Sequence, residues 1–401
     1  MPIYQYKAVT LNGKNVEGSY TAKNKNEVVM MLKQKQNYPV SVIETEDKDI
    51  RDIKLFNKVK IKDLSVFCRQ FYTMINAGVS IIQCLDILRQ QVEHKKLKEV
   101  ITEVYEEVQK GLTFSEALKK HPTVFPQLMT YMVAAGEASG SLDIIMDRLA
   151  VHYEKENKIN NKIKGAMIYP IILAFVSIVV VVFLLTFVMP TFLSMFEGSG
   201  VPLPLPTRIL LSMSEGLRNY WYLLLIAVIA LTFGVKKYIY SGDGQLSFDK
   251  LKLSIPIIKM LNQKIVTARF SRTLSTLLAS GIPLLQALEN VSNAVGNRYA
   301  AEKIMEARED VRKGINISVP IKKAGIFPPM LDNMISIGEE SGSLDDILDK
   351  TANFYDEEVD FAITKMTTLI EPIMIVVMAV LIGFIVIAMV LPMFDMINTV
   401  Q

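Results

Sequence analysis

The chain has 401 residues, of which 50% are apolar and 21% are charged, and its mean hydropathy is +0.28. This composition is too apolar for an ordinary soluble protein, so it predicts that part of the chain lies in a membrane. The 44 Lys and Arg and the 41 Asp and Glu residues fall almost entirely outside three uncharged stretches, so the remainder can form water-soluble domains. A net charge of +3, without a Lys/Arg-rich block, excludes nucleic acid as an expected partner.

Residues 1–45 predict a small N-terminal β-β-α-β appendage. Two strand-like segments flank an LNGK turn, and a helical pattern and a third strand-like segment follow. Residues 46–60, rich in Lys and Asp, are expected to be a linker. The start of the chain has no basic region followed by an apolar one, so no cleavable signal is expected. Cys68 and Cys84 lack metal or disulfide spacing and predict buried thiols in a reducing compartment.

Three uncharged segments, 166–189, 219–235 and 372–394, predict transmembrane helices. Lys residues precede the first span and follow the second, and the tail 395–401 has none, so the N-terminus is expected in the cytoplasm and the C-terminus outside. Residues 190–218 are then an extracytoplasmic loop, within which the prolines of GSGVPLPLPTR (198–208) are expected to stiffen an extended connection. Residues 236–262 are a basic cytoplasmic linker.

The cytoplasmic part is duplicated. Residues 61–165 and 263–371 share a pattern at a constant offset of 203 that becomes 202 after one deletion, and the match continues into the spans, where Pro170 corresponds to Pro372. Helix caps punctuate both copies, so each predicts a helical bundle joined to its span. The fold class is therefore an all-α polytopic membrane protein with two duplicated cytoplasmic helical bundles, three transmembrane helices and a small N-terminal α+β appendage.

The string G-E-x-S-G-S-L-D occurs at 136–143 and again at 338–345. A structural interpretation explains most of it: the second glycine ends one helix with a positive φ, and the following serine, Ser141 or Ser343, caps the next. Glu137 and Glu339 are left over and could bind a partner, a cation or the other copy. The candidate binding residues are therefore Gly136, Glu137, Ser139, Gly140, Gly338, Glu339, Ser341 and Gly342.

Two further features each allow two interpretations, one as solvated or interfacial residues and one as contacts with a partner. Glu371, directly before Pro372, is either an interfacial carboxylate or a contact with a membrane-embedded partner. The stretch 341–362 is far more acidic than its first-copy counterpart 139–160. Its residues Asp356, Glu357 and Glu358 are either solvated or a partner surface, and reversing them to Lys is expected to leave folding intact.

No motif supports catalysis or a cofactor. The chain lacks a phosphate-binding GK[ST] loop and a G-x-S-x-G nucleophile turn, and His94, His121 and His152 are scattered without metal-ligand spacing. The spans carry no ionisable residue in their interiors, which disfavours a channel or transporter. No catalytic residue, metal site or cofactor is therefore predicted.

The chain resembles the polytopic inner-membrane platform proteins of type IV pili, called protein F in type II secretion systems. The resemblance rests on the Tyr4/Tyr6 start with Gly13 and Gly18, the paired F-x-R…GxxxxQxL and GExSGxL motifs, the LPLPTR loop, and Glu371-Pro372. It implies a non-enzymatic platform, a multi-pass protein of the inner (cytoplasmic) membrane. Its implied partners are a hexameric assembly or retraction ATPase, pilin or pseudopilin subunits, inner-membrane alignment proteins and further copies of itself.

Two other classes remain as alternatives. A membrane receptor would need a sensing module outside, which the short 197–218 loop does not offer, and an enzyme lacks a catalytic motif. The sequence does not distinguish among an adhesive or motile pilus, a DNA-uptake pseudopilus and a secretion pseudopilus.

Overall fold

The computed structural model describes residues 3–10, 15–22, 24–34, 37–45, 58–194 and 203–399. The predicted turn at 11–14, the linker residues 46–57, the loop residues 195–202 and the last two residues lie outside the described residues. Helices dominate the described part, and a small sheet lies at its N-terminal end, which confirms the predicted fold class.

The N-terminal unit is a three-stranded antiparallel sheet with one helix, and the predicted α+β appendage is confirmed. Its strand order is β2-β1-β3, and alternate residues of β1 pack with the helix into a core that includes Tyr4, Val28 and Leu32. Gly18 is needed opposite Tyr6, because a Cβ there would lie 2.6 Å from the tyrosine oxygen. The elements are β1 (Ile3–Thr10), β2 (Asn15–Thr21), α1 (Lys25–Gln34) and β3 (Asn37–Thr45).

The two copies of the repeat fold into similar helical bundles. Glycines with positive φ end corresponding helices, as at Gly78 (φ 83°) and Gly281 (φ 76°), and Thr113 with Glu116 forms the predicted capping box. The first copy comprises α2 (Ile61–Asn76), α3 (Ile81–Gln91), α4 (Lys95–Gln109), α5 (Phe114–Lys119), α6 (Gln127–Ser139) and α7 (Leu142–Phe183).

Between the two copies the described chain is mostly helical. A π-helix (Leu184–Val188) and α8 (Met189–Ser194) continue α7, and α9 (Leu205–Tyr240) and α10 (Gly242–Lys252) follow. The second copy comprises α11 (Pro256–Ala279), α12 (Leu284–Ala294), α13 (Arg298–Arg312), α14 (Ser318–Ala324), α15 (Pro329–Ser341) and α16 (Leu344–Thr399).

The last helix of each bundle continues into the predicted span without a break. α7 has 42 residues and α16 has 56, so at 1.5 Å per residue they are about 63 and about 84 Å long. Pro170 and Pro372 lie inside these helices and do not end them. The predicted boundaries at 165/166 and 371/372 therefore mark a change of surroundings and not an end of secondary structure.

The expected extended loop differs from the structure. Residues 205–218 of the predicted 190–218 loop are helical, because Pro206 lies in the first turn of α9, where a missing backbone N–H costs nothing. α9 departs from helical geometry at Tyr220 (φ −123°, ψ 21°), next to the predicted start of the second span. The predicted basic linker 236–262 is likewise largely helical, as α10 and the start of α11.

Three helical segments of the described chain are long and apolar enough to cross a membrane: Leu142–Phe192, Leu205–Ile239 and Leu344–Pro392. They contain the first two predicted spans and all but the last two residues of the third, and they confirm these spans as candidates for a multi-pass membrane protein. Their apolar side chains are largely exposed, as lipid-facing residues would be.

Two hydroxyl groups of α9 donate hydrogen bonds to backbone carbonyls that lack a helical donor because of a proline. Pro392 cannot donate to the carbonyl four residues earlier, that of Ala388, and Thr207 Oγ1 donates to it at 2.6 Å. In the first copy, the Met189 N–H donates to the Leu184 carbonyl, five residues back, as is usual in a π-helix. In the same pattern the Leu185 carbonyl would accept from the N–H of residue 190, which is a proline and has none. Ser214 Oγ donates to that carbonyl at 2.5 Å. The start of α9 thus contacts both the π-helix that continues α7 and the end of α16, each beside a proline.

Candidate functional site

The glutamate of the duplicated string caps a neighbouring helix in both copies. The Glu137 carboxylate accepts hydrogen bonds from the backbone N–H groups of Phe114 (2.6 Å) and Ser115 (2.9 Å), at the start of α5. Glu339 accepts in the same way from Ile317 (2.6 Å) and Ser318 (3.1 Å), at the start of α14. Both oxygens of each carboxylate therefore satisfy first-turn amides, a position that also favours negative charge.

The rest of the string builds a tight turn between two helices. Gly140 (φ 70°) and Gly342 (φ 66°) adopt the predicted left-handed conformation. Gly136 allows close packing, since a Cβ there would lie 2.8 Å from the Ile145 side chain. Ser139 Oγ donates to the Ala135 carbonyl and contacts Ser141 Oγ.

The predicted serine cap is wrong in one respect. Ser141 stands at the N-cap of α7, but its hydroxyl makes no capping bond; its Oγ lies 2.7 Å from that of Ser139. Ser341 and Ser343 repeat this pair at 2.7 Å. The geometry of the string thus supports the structural interpretation of the eight candidate binding residues.

An arginine shared by the two copies ties the first and last helices of each bundle. Arg69 contacts Asp147 (2.7 Å) and Glu154 (2.7 Å), and Arg272 contacts Asp349 (2.7 Å) and Asp356 (2.8 Å) at equivalent positions. The pKa of Glu154 is lowered by its hydrogen bond from Arg69. Sequence reasoning found both arginines in the repeat but assigned them no role. The signal lay in the acids that recur at the same offset on α7 and α16.

The acidic stretch of the second copy is largely neutralised within the chain. Asp356, whose side chain is only 14% exposed, pairs with Arg272, and Glu358 pairs with Lys264. Glu357 is exposed. Two of the three residues suggested as a partner surface, Asp356 and Glu358, are therefore paired within the chain. Reversing Asp356 would break its contact with Arg272, contrary to the expectation that folding is left intact. The charge count missed this, because it followed one helix and ignored the bases of its neighbours.

The two bundles contact each other through α7 of the first and α11 and α16 of the second. Arg269 donates to Glu156 (2.6 Å) and to Asn160 (3.2 Å), and Lys162 pairs with Asp360. An apolar cluster lies beside these polar contacts, with Ile159, Ile163 and Ala166 from α7 and Leu261, Ile265, Ala268, Tyr355, Val359 and Ile363 from the second copy. None of these contacts was predicted, since each joins positions about 100 to 200 residues apart.

His152 lies buried in this contact between the bundles. Burial lowers its pKa to about 4, and the charges of Arg272 and Arg269 act in the same direction. Its Nδ1 and the neighbouring Arg272 Nε have no hydrogen-bond partner in the described structure. Cys68 and Cys84 are free and buried, as predicted, and burial raises both thiol pKa values, that of Cys84 to about 11.

Glu371 meets its own counterpart from the first copy. Tyr169, which occupies the equivalent position, donates from its hydroxyl to Glu371 Oε1 at 3.4 Å. The two residues line a cleft of about 600 Å³ between α7 and α16, with Lys162, Gly165, Ala166, Asp360, Ile363, Thr364, Thr367 and Thr368. α16 continues through Pro372, the residue directly after Glu371. Among the described residues, no three His, Cys, Asp or Glu side chains are grouped so that they could hold a metal ion.

Comparison with known proteins gives the same division of the chain. A family model described as "Type II secretion system (T2SS), protein F" matches residues 67–190 and 270–392, and one for the N-terminal domain of that protein matches residues 1–43. The type IV pilus assembly protein PilC of Thermus thermophilus is 38% identical over 405 residues, covering 100% of both chains. The PilC of Myxococcus xanthus is 38% identical over 99% of this chain and 96% of its own.

A secretion protein is similar over the same length. The type II secretion system protein F of Vibrio cholerae is 31% identical over 402 residues, covering 99% of each chain. Each of the two family matches spans one bundle and the membrane helix joined to it. The chain therefore belongs to the type II secretion system protein F family, as a platform protein of the type IV pilus or type II secretion kind.

Proposed function

We propose that this chain is the inner-membrane platform that recruits the cytoplasmic assembly or retraction ATPase and couples its motion to the insertion of pilin or pseudopilin subunits into a fibre. Inner-membrane alignment proteins and further copies of the chain complete the assembly. The platform itself hydrolyses no nucleotide, because the sequence has no phosphate-binding loop. Its role is mechanical.

The continuity of α7 and α16 is the observation that carries this proposal. Each helix begins in a cytoplasmic bundle and continues into the segment predicted to enter the membrane, with helical backbone on both sides of Pro170 and Pro372. A displacement that an ATPase imposes on a bundle would therefore reach the membrane segment without passing through a loop. The contacts of Arg269, Lys162 and Tyr169 between the copies would make the two helices move together.

A flexible insertion tests whether this continuity transmits force. Six Gly-Ser residues inserted after Lys164 and, in a second variant, after Met366 would interrupt each helix just outside its span. We expect both variants to reach the membrane and to retain the ATPase in co-purification, because the bundles are intact. Fibre assembly should fall at least tenfold.

The matched control places the same insertion in the predicted linker, after residue 50. It should leave both ATPase recovery and fibre assembly unchanged. Wild-type fibre levels in the two helix variants would show that an unbroken helix is not needed and would refute the coupling. Failure of the wild-type chain to retain the ATPase would refute recruitment separately.

The same proposal places the bundles in the cytoplasm and the C-terminus outside. The Lys distribution around the first two spans supports this orientation. Reporter fusions after residues 56 and 260 should give cytoplasmic signal, and a fusion after residue 401 should give extracytoplasmic signal. A strong extracytoplasmic signal after residue 260 would overturn this topology.

A further inference from the structure

The contact between the two bundles uses different surfaces of the two copies. The first copy offers the outer side of α7, and the second copy receives it between α11 and α16. The copies are similar in fold, so each copy also has the surface that the other copy uses in this contact. The second copy has an outer side on α16, and the first copy has a receiving side on α2 and α7. Neither of these two surfaces takes part in the contact within the chain.

The counterpart side of α16 is an uncovered stripe with two aromatic rings. His152 and Ile159 of α7 lie in the contact and are 8% and 6% exposed. Their equivalents, 202 residues later, are Phe354 and Phe361, which are 41% and 64% exposed. The two phenylalanines are seven residues apart, so they lie on the same face of α16. We call this surface, with Phe354, Glu357 and Phe361, the α16 stripe.

The counterpart receiving side is uncovered too. On α11, Arg272 and Ile265 are buried by the first copy, with the Arg272 side chain 9% exposed. Their equivalents 203 residues earlier are Arg69, with 37% of its side chain exposed, and Lys62, which is exposed on α2. Val66 between them is 45% exposed. We call this surface, with Lys62, Val66 and Arg69, the α2 face.

Lipid does not account for the α16 stripe. Phe361 precedes Pro372, where the third predicted span begins, by eleven residues, or about 16 Å along the helix axis. Phe354 lies about 10 Å farther from the span. Two large aromatic rings on one face of a helix, outside the membrane and surrounded by charged residues, are typical of a protein contact.

We propose that the α16 stripe docks on the α2 face of a second copy of this chain, in the manner in which α7 docks on the second bundle within one chain. The repeat equivalence would bring Phe354 to Arg69 and Phe361 to Lys62. Both pairs set a cation against an aromatic face, a complementary contact. The equivalent of the Lys155–Asp356 pair sets Glu357 beside Glu154, which Arg69 already neutralises, so the aromatic–cation pairs and the repeat equivalence favour this occupant, and net charge does not.

The membrane limits how such copies can assemble. A contact between two different surfaces builds either a ring or an open filament. All copies have their spans in one bilayer, so successive copies are related by rotation about the membrane normal without a translation along it. The contact therefore builds a closed, discrete oligomer. This inference deepens the self-association included in the proposed function, and it needs neither the ATPase nor a pilin for its test.

The mass of the purified full-length protein in nanodiscs or detergent provides the first test. Wild-type protein should be oligomeric, and the variant Phe354→Ala/Phe361→Ala, which removes both rings without adding a charge, should shift to single chains, with at least a tenfold weaker association. Ile337→Ala is the matched control, because Ile337 is a 48% exposed apolar residue on α15 of the same bundle. The control should keep the wild-type mass.

A disulfide test identifies the receiving surface. Chains with Phe361→Cys mixed in one membrane with chains carrying Lys62→Cys should form a disulfide-linked dimer on oxidation, whereas Phe361→Cys with Lys98→Cys on α4 should not. The native thiols of Cys68 and Cys84 are buried and should not compete. Single-chain wild-type protein, an oligomer unaffected by the two alanines, or equal crosslinking at Lys98 would overturn the proposal. Loss of ATPase binding without a change of mass would assign the stripe to the ATPase instead and would overturn it too.

Discussion

Thr207 tests whether hydroxyl groups of α9 hold the proline-containing helix ends. Its Oγ1 donates to the Ala388 carbonyl at 2.6 Å, and Pro392 deprives that carbonyl of its helical donor. Replacement by valine keeps the shape of the side chain and removes the donor. Interhelical hydrogen bonds in membrane proteins contribute about 0.6 kcal/mol on average and up to about 1.7. A buried carbonyl without any donor costs about 1–3 kcal/mol, so we expect Thr207→Val to destabilise the protein by about 1.5 kcal/mol.

A double-mutant cycle with Pro392→Ala isolates the cause. Alanine restores the backbone N–H that the Ala388 carbonyl lacks, so Thr207→Val should then cost only about 0.5 kcal/mol. Ser212→Ala is the matched control, since Ser212 bonds a carbonyl of its own helix, and it should change stability by less than about 0.5 kcal/mol. Equilibrium unfolding in mixed detergent–SDS micelles measures all four variants. An equal cost of Thr207→Val with and without Pro392 would refute the reasoning.

Three further predictions concern the bundles. The pKa of His152 is about 4 in the folded protein, against a reference value of 6.5. As the pH falls, the imidazole is therefore protonated in the unfolded chain before it is protonated in the folded one. The free energy of unfolding should thus drop by up to about 3 kcal/mol between pH 6.5 and 4. His152→Phe, the residue that the second copy carries, should flatten this dependence in thermal melts. Glu137→Gln should cost about 1.5–3 kcal/mol in chemical unfolding, because an amide cannot accept both N–H groups; no loss relative to the exposed Glu340→Gln would contradict the capping role. Arg272→Gln should lower the free energy of unfolding by about 3 kcal/mol and clearly more than Arg69→Gln, because the Arg272 side chain is 9% exposed and that of Arg69 is 37% exposed. Equal losses would show that burial of the arginine does not determine the cost.

Local sequence patterns predicted the features that depend on neighbouring residues. The spans follow from apolar length, the caps at Thr113 and Gly140 from residue type, and the N-terminal unit from strand-like segments around turns. The repeat predicted that two similar bundles would form. These inferences held because each depends on a window of a few residues to a few turns of helix.

The features that sequence reasoning missed join distant residues or depend on what surrounds a segment. Hydropathy locates a membrane segment but does not report where its helix begins, so α7 and α16 were divided at positions 165 and 371. The prolines of the 190–218 segment indicated an extended loop, although Pro206 also suits the first turn of a helix. The pairing of Asp356 with Arg272 requires the packing of α16 on α11, which charge counting along one helix cannot supply.

The two unbroken helices have arms of equal length before the prolines at the start of the third predicted span and at its first-copy counterpart. Leu142 to Pro170 and Leu344 to Pro372 each advance 28 residues, or about 42 Å, from the glycine turn to the proline. An arm of that length is a lever: a tilt of about 10° displaces its far end by about 7 Å, more than one turn of helix. Because the two arms have the same length, an equal tilt of both would move the points at which the two helices enter the membrane by the same distance. A tilt of one bundle alone would open or close the cleft beside Glu371.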